Sequence, residues 1–437
     1  MSFITELTPA SVSSPTAEII STVITPSGHF LYVAGYYYNN TIAIYHRDLV
    51  TGLLTFVDNS TVVGVAGPGD NGPYNLAMDP SGNYLYCIDA GGTGAGYVYS
   101  FSIDPATGLL TQIQKLSVTT GQTQTRIIVH PTANILYIAT DNFPAQSLFG
   151  YTISSGILSY HTSIETNAAP SDLFGISFDN TGTWLYASSW ASTAVYQFSV
   201  NQSTTALALL NTYTVGLEPW AIGFSPDNLY CYVTNYGDST VSQFSVNQST
   251  GALTPLSPAT VSTAVGGGTG AYYIAFAQGG VFVQNVGGSP PNVLYFTPVA
   301  GGLTNPQVTG APPVACLTFI VSPDGKFAYL GYTSPSDVSG ADVYQCSISL
   351  APPDFIVTYT DTHFDAINPQ CILQYSDDGG ITWSNERYCS LGSTGQYLNR
   401  VIFYQLGTAR NRVYRVVDVG SSAGISGADL IVMPGVT

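Results

Sequence analysis

Residues 225–256 decide the fold. They read Ser225-Pro226-Asp227-Asn228, then Leu229-Tyr230-Cys231-Tyr232-Val233-Thr234, then Asn235-Tyr236-Gly237-Asp238-Ser239, then Thr240-Val241-Ser242-Gln243-Phe244-Ser245-Val246, and run through Asn247–Gly251 into Leu253–Leu256. Proline presets φ, and Asp and Asn side chains bond their own backbone, so Ser225–Asn228 is a tight turn. Leu229–Thr234 is rich in aromatic and β-branched residues and reads as a strand. Tyr236–Ser239 turns the chain back. Thr240–Val246 alternates as a second strand, and Ser249-Thr250-Gly251 turns into a third. The stretch is one antiparallel meander.

The same turn-plus-strand signature recurs outward in both directions. It stands at Thr25–Gly28 before Phe30–Gly35, at Asp79–Gly82 before Tyr84–Ile88, and at His130-Pro131 before Ile135–Thr140. It stands again at Asp179–Gly182 before Trp184–Ser188 and at Ser322–Gly325 before Phe327–Tyr332, with a copy lacking proline in Tyr272–Val283. The anchors Pro26, Pro80, Pro131, Asn180, Pro226, Gln278 and Pro323 are separated by 54, 51, 49, 46, 52 and 45 residues. One octapeptide, Gln197–Thr204, recurs unchanged at Gln243–Thr250, 46 residues on. A strand-type repeat of this period predicts a radial array of blades, a β-propeller, and seven copies predict seven blades. The inner strands are expected at Ile19–Ile24, Asn75–Met78, Thr125–Val129, Leu173–Phe178, Trp220–Phe224, Tyr273–Phe276 and Leu317–Val321. These runs are almost wholly apolar, as strands covered on both faces should be. The seventh copy lacks an outer strand, and Ser2–Leu7 has the composition to supply it and close the ring.

Only 8% of the 437 residues are charged, against roughly 25% in an average soluble domain. The surface must therefore be built from Ser, Thr, Asn, Gln, Gly and Tyr. The net charge of −17 excludes a protein that binds nucleic acid through phosphate neutralisation. Met1–Pro15 has neither a basic segment nor an apolar core, so no secretory signal is expected, and no run approaches the roughly 20 apolar residues of a spanning helix. The six cysteines, Cys87, Cys231, Cys316, Cys346, Cys371 and Cys389, are scattered through strand-like runs and read as buried thiols made in a reducing cytoplasm. Cys371 and Cys389 are placed so that they could meet across a sheet.

Tyr232-Val233-Thr234-Asn235, Ser322-Pro323-Asp324-Gly325-Lys326 and the blade ends Thr107-Gly108-Leu109-Leu110 and Thr250-Gly251-Ala252-Leu253 resemble the lactonase-type seven-bladed propellers. The resemblance covers about residues 2–350. It implies the fold and leaves function open, because that family holds enzymes and binding scaffolds alike.

After Ala351-Pro352-Pro353 the repeat stops and the composition shifts. Five of the nine basic residues, Arg387, Arg400, Arg410, Arg412 and Arg415, fall in this last part, while residues 1–350 carry 4 basic residues against 18 acids. Alternating runs at Cys371–Tyr375, Tyr397–Tyr404 and Arg412–Val417 predict a second, small β domain over 354–437. The expected class is thus all-β: a seven-bladed propeller over 1–350, closed by strand 2–7, with a small C-terminal β domain. Tyr375–Ser384, Ser390–Tyr397, Arg400-Val401, Leu406-Gly407, Ala409-Arg410 and Arg412–Arg415 together are similar to the C-terminal part of packaged-DNA stabilisation, head-completion and tail-nozzle proteins of short-tailed phages. That resemblance implies a virion protein made in the host cytoplasm and placed in the phage tail. It implies a homo-oligomeric ring, with six copies as the guess, in contact with adaptor, portal-proximal and tail-fibre proteins. DNA would pass such a ring without sequence-specific binding, and no membrane insertion is implied.

Ser376-x-Asp378-x-Gly380-x-Thr382-Trp383 fits an Asp-box hairpin, in which the carboxylate bonds turn amides and the Trp packs beneath. This is a structural device, and a glycosidase would also need two carboxyls across a cleft. The five Arg residues suit either internal ion pairs with Asp377, Asp378 and Glu386 or contacts with a neighbouring subunit. Arg400 lies between apolar alternates, so a carboxylate must cover it. The rival reading is lactone hydrolysis, which needs Arg, His and Glu gathered at the propeller mouth. The lactonase enzymes carry Gly-Pro-Arg-His before a blade turn; here the stretch is Gly72-Pro73-Tyr74-Asn75, and Arg126 and His130 are the nearest substitutes. His130 stands in a turn and reads as a surface residue. No spacing of His29, His46, His130, His161, His363 or the cysteines suggests a metal, and no cofactor is expected. Tyr36-Tyr37-Tyr38 reads as an exposed tip, which suits a third function, recognition of host-surface glycans or receptors.

Overall fold

A computed structural model of the chain describes residues 4–14, 18–36, 41–62, 72–89, 96–119, 124–140, 148–164, 172–312, 315–333 and 341–349, and three later strands at 370–376, 387–390 and 413–419. Its contacts divide it into two units, Ser2–Ser349 and Leu350–Thr437, each described by itself.

The first unit is a seven-bladed β-propeller. Strand β1 (Ile4–Ser14) precedes blade 1, which is β2 (Glu18–Ile24), β3 (Phe30–Tyr36), β4 (Thr41–Arg47) and β5 (Leu54–Thr61). Blade 2 is β6 (Pro73–Met78), β7 (Tyr84–Asp89), β8 (Gly96–Ile103) and β9 (Leu110–Thr119). Blade 3 is β10 (Gln124–Val129), β11 (Ile135–Thr140), β12 (Leu148–Ser154) and β13 (Ile157–Ile164). Blade 4 is β14 (Leu173–Phe178), β15 (Trp184–Ser189), β16 (Ala194–Val200) and β17 (Leu207–Thr214). Blade 5 is β18 (Pro219–Phe224), β19 (Tyr230–Asn235), β20 (Thr240–Val246) and β21 (Leu253–Ser262). Blade 6 is β22 (Gly268–Ala277), β23 (Gly280–Gly288), β24 (Asn292–Val299) and β25 (Gly302–Val308). Blade 7 is β26 (Cys316–Val321), β27 (Phe327–Thr333) and β28 (Ala341–Ile348), with β1 as its fourth strand.

Burial peaks at the second strand of the blades, above that of inner strands such as β14. Every residue of β11 and β15 is buried, whereas the outer strand β17 is mostly exposed. The core therefore lies between blades: Phe30 and Tyr32 of blade 1 pack with Leu76, Leu85 and Phe101 of blade 2, and Leu31 and Tyr45 pack with Tyr329 and Val343 of blade 7. A side chain buried there removes apolar surface from water at about 25 cal/mol per Å2.

A polar latch repeats on top of this packing. The third residue of each second strand is a Tyr in blades 1 to 5 and 7. Tyr32 donates to the Gly108 carbonyl at 2.8 Å, Tyr137 to Thr205 at 2.7 Å, Tyr186 to Gly251 at 2.5 Å, Tyr232 to Gly301 at 2.7 Å and Tyr329 to Gly52 at 2.7 Å. Each bond crosses from one blade to the outer turn of the next. Two residues earlier, in blades 1, 2, 4, 5 and 7, an aromatic ring lies against the glycine of that turn. A Cβ on Gly108 would stand 2.4 Å from Phe30 and one on Gly301 1.9 Å from Tyr230, so glycine is needed there for close approach as well as for its positive φ.

The ring closes where blade 7 meets the start of the chain. β1 pairs antiparallel with β28, from Ile4 opposite Ile348 to Ser14 opposite Ala341, with a register shift between Glu6 and Ser11. The strand is longer than the run read from the sequence, and Ser2 and Phe3 lie outside the described residues. Gln345 Nε2 donates to the Pro9 carbonyl at 2.8 Å. Arg47 of blade 1, 1% exposed, pins the other end of this seam: its guanidinium donates to Asp324 at 2.8 Å, to Tyr329 Oη at 2.8 Å and to the Gly28 carbonyl at 3.2 Å.

In the second unit β29 (Gln370–Ser376) lies between β30 (Arg387–Ser390) and β31 (Val413–Val419), both antiparallel to it. Cys371 stands opposite Cys389, Arg387 opposite Leu373, and Arg415 opposite Gln374. Ser376 ends β29. Arg400, Arg410, Arg412, Asp378, Gly380, Thr382 and Trp383 lie outside the described residues.

Candidate functional site at the axis of the propeller

The inner strands ring the axis, and five of them bring one cation and a group of aromatic rings together. Arg126 comes from β10 and is partly buried. Its guanidinium carbon stands 5.1 Å from the centre of the Trp220 ring on β18, and one N–H donates to the Thr125 carbonyl at 2.8 Å. It also bonds the phenols of Tyr74 on β6 and Tyr272 on β22. Contacts with blades 5 and 6 from a residue of blade 3 are possible only across the axis.

The rings pack on one another as well. Trp220 stacks on Tyr272 with centroids 4.2 Å apart and on Phe174 of β14 at 4.9 Å. Trp190, in the turn after β15, meets the Trp220 edge at 5.2 Å and Tyr236 at 5.4 Å. Arg126 thus caps a self-packed aromatic cluster. Cation–π contacts of this kind are worth about 2 kcal/mol once desolvated.

The electrostatics are those of a fixed donor set. Burial alone would lower the Arg126 pKa, but the phenols of Tyr273, Tyr272 and Tyr74 outweigh it and the net shift is upward. Burial pushes the Tyr272 phenol well above its ordinary value. Neither group exchanges a proton near neutral pH, whereas a general acid or base works best with a pKa near the operating pH. Among the described residues no carboxylate is within ion-pair distance of Arg126. Asp89 accepts from Tyr97 N and Tyr99 Oη of β8, and Asp238 from Leu217 N.

The two residues that the sequence offered as substitutes for a lactonase dyad are kept apart. His130 lies four residues beyond Arg126, at the opposite end of β10, about 13 Å away for an extended strand. The reading of His130 as a surface residue is corrected: it is 0% exposed. Nδ1 accepts from Thr132 N at 3.1 Å and Ala133 N at 2.8 Å, and Nε2 donates to the Gly182 carbonyl of blade 4 at 2.7 Å. The ring T-stacks on Phe178 at 4.7 Å, and burial lowers its pKa. Inter-blade packing, which a turn signature does not reveal, makes this His a bolt between blades. Asn75, at the place of the lactonase His, is likewise committed: it donates to Ser21 Oγ at 3.3 Å and accepts from Ile127 N at 3.1 Å.

Among the described residues no cluster of His, Cys, Asp or Glu could hold a metal. Cys87, Cys231, Cys316 and Cys346 are buried free thiols whose pKa values burial raises. Sequence reasoning found Arg126 but not its partners. Phe174 and Trp220 stand second in β14 and β18 and Tyr272 fifth in β22, and only the packing of blades 4, 5 and 6 side by side brings them together.

Two family models match the chain. The bacteriophage P22 Gp10 β-sandwich matches residues 354–430, and the lactonase seven-bladed β-propeller matches residues 66–156 and 159–267. No curated protein matches the sequence. Similar solved structures include the periplasmic gluconolactonase PpgL of Pseudomonas aeruginosa, 18% identical, covering 73% of this chain and 96% of that one, with a TM-score of 0.56. A protein of Lactobacillus plantarum is 20% identical over 71% of this chain and 92% of that one, TM-score 0.54. The β-propeller domain of Cps50 (Swd1) from Myceliophteria thermophila is 13% identical over 76% and 99%, TM-score 0.54. At these identities the likeness shows the fold alone.

Proposed function

We propose that the protein is a structural component of a short phage tail. In this reading the propeller is a rigid body and the C-terminal β unit joins copies into a ring, a hexamer, below the portal and adaptor and around the path of the DNA. The observation that carries it is the match of residues 354–430 to the β-sandwich of bacteriophage P22 Gp10. The charge distribution supports it. The propeller part holds 18 acids against 4 basic residues, so a wall built from it repels DNA over a Debye length of about 8–10 Å. The basic residues Arg387, Arg400, Arg410, Arg412 and Arg415 then serve subunit contacts.

The rival reading is hydrolysis of a lactone at the axis, and the geometry of that site speaks against it. Arg126 could hold an anion there, but no proton-transferring group stands beside it among the described residues. Incubation with sugar lactones and aromatic lactones is expected to give no turnover above buffer. Turnover that Arg126→Ala abolishes would overturn the structural reading. Mixing the purified protein with portal-adaptor components is expected to give a ring complex; binding to host-envelope glycans without ring formation would favour a receptor-binding role instead.

A further inference from the structure

The six cysteines divide into two groups. Cys87, Cys231, Cys316 and Cys346 are buried free thiols of the propeller, and burial raises their pKa values. That keeps the thiolate, the reactive form, scarce. Cys371 and Cys389 belong to the second unit and stand directly opposite each other where β29 pairs antiparallel with β30. The register is regular on both sides of them, with Gln370 opposite Ser390 and Ile372 opposite Tyr388.

Residues directly opposite in an antiparallel pair share a face of the sheet. Their Cα atoms are about 4.5–5.5 Å apart, inside the roughly 4.4–6.8 Å that a disulfide spans. The backbone of this strand pair therefore meets the first requirement of a cross-strand disulfide. The place also has use for one. β30 is only 4 residues long, whereas β31, on the other side of β29, has 7. A strand held by so short a ladder gains most from a covalent tie. The segment that joins β29 to β30 carries the Asp-box sequence, and Arg387 opens β30.

We propose that Cys371 and Cys389 are a redox modification site: in oxidising surroundings they close a disulfide that staples β30 to β29, and in reducing surroundings they remain thiols. The oxidant is a low-molecular disulfide such as glutathione disulfide. One Cys thiolate attacks it, forming a mixed disulfide and releasing one small thiol. The second Cys thiolate attacks the protein sulfur of that mixed disulfide, and the second small thiol leaves. Two protein thiols are oxidised, one small disulfide is reduced, and the protons of the protein thiols end on the small ones. On the tail reading above, synthesis in the host cytoplasm leaves the staple open and release of the particle closes it; the pairing itself does not rest on that reading.

The test equilibrates the reduced full chain in glutathione buffers from reducing to oxidising, quenches in acid, unfolds the chain and alkylates the remaining thiols. The oxidised chain should take four labels, against six for the reduced one. It should also be lighter by about 2 Da before labelling, the two hydrogens lost. Peptide mapping should join the segments that hold Cys371 and Cys389. Cys371→Ser and Cys389→Ser should each stop at a glutathione adduct. Amide exchange in 370–376 and 387–390 should slow about tenfold or more on oxidation, with no change in the propeller strands. Six labels in the most oxidising buffer, a loss of two thiols that survives Cys371→Ser, or exchange in 387–390 that oxidation leaves unchanged would overturn the proposal.

Discussion

At the scale of the residue, His130 shows how position in a fold overrides local signal. A His-Pro pair at the start of a turn announces an exposed residue, yet both ring nitrogens of His130 are committed inside the ring. The neutral imidazole fits that arrangement, accepting at Nδ1 and donating at Nε2, and a proton on Nδ1 would face two N–H groups. Its native pKa is lowered, so the unfolded chain binds the proton first as pH falls. The stability it contributes is complete above the unfolded value of about 6.5 and is lost as pH falls through that value towards the lower native one. Thermal melts between pH 7.5 and 5 should show a decline that His130→Asn largely removes, at the cost of a lower starting midpoint. An unchanged pH slope in the variant would contradict this role. The latch tyrosines teach the opposite lesson: Tyr32, Tyr137, Tyr186, Tyr232 and Tyr329 recur in phase with the repeat, although the turn carbonyls they reach lie 65 to 76 residues away, and 277 residues for Tyr329.

At the scale of the element, strand β1 does more than fill a gap. Without it β28 would present an unpaired edge, and the first and seventh blades would be joined through Arg47, the Tyr329–Gly52 and Leu54–Gln345 hydrogen bonds and side-chain packing. Removing residues 2–14 also exposes the β28 side of blade 7 where Ile4 is 0% exposed, a loss of about 2 kcal/mol for that side chain before the backbone ladder is counted. Calorimetry of the truncated chain should show a lower and broader transition than the full chain; an unchanged midpoint would mean that the ring does not depend on this strand. The inner strands were legible because they are nearly continuous apolar runs, although β22 begins at Gly268, five residues before the expected Tyr273. The cluster of Phe174, Trp220 and Tyr272 was not, because periodicity along one blade carries no information about which side chains meet across the axis.

At the scale of the molecule, the two parts of the chain divide the work. The repeat explains about 350 residues as a closed scaffold, and the groups at its axis hold charge without moving protons. The C-terminal unit breaks the repeat, gathers the basic residues and matches the phage β-sandwich. Of the strands expected there, Cys371–Tyr375 falls in β29 and Arg412–Val417 overlaps β31, which carries Arg415; Tyr397–Tyr404 lies outside the described residues, and β30 with Arg387 was not read from the sequence. The account therefore stands or falls on assembly. Mass measurement of the purified native protein is the most direct test. A particle of about six times the 46.1 kDa chain, reduced to folded monomers by Arg400→Ala, is the expected result. A monomer of 46.1 kDa at all concentrations, alone and with adaptor proteins, would contradict it.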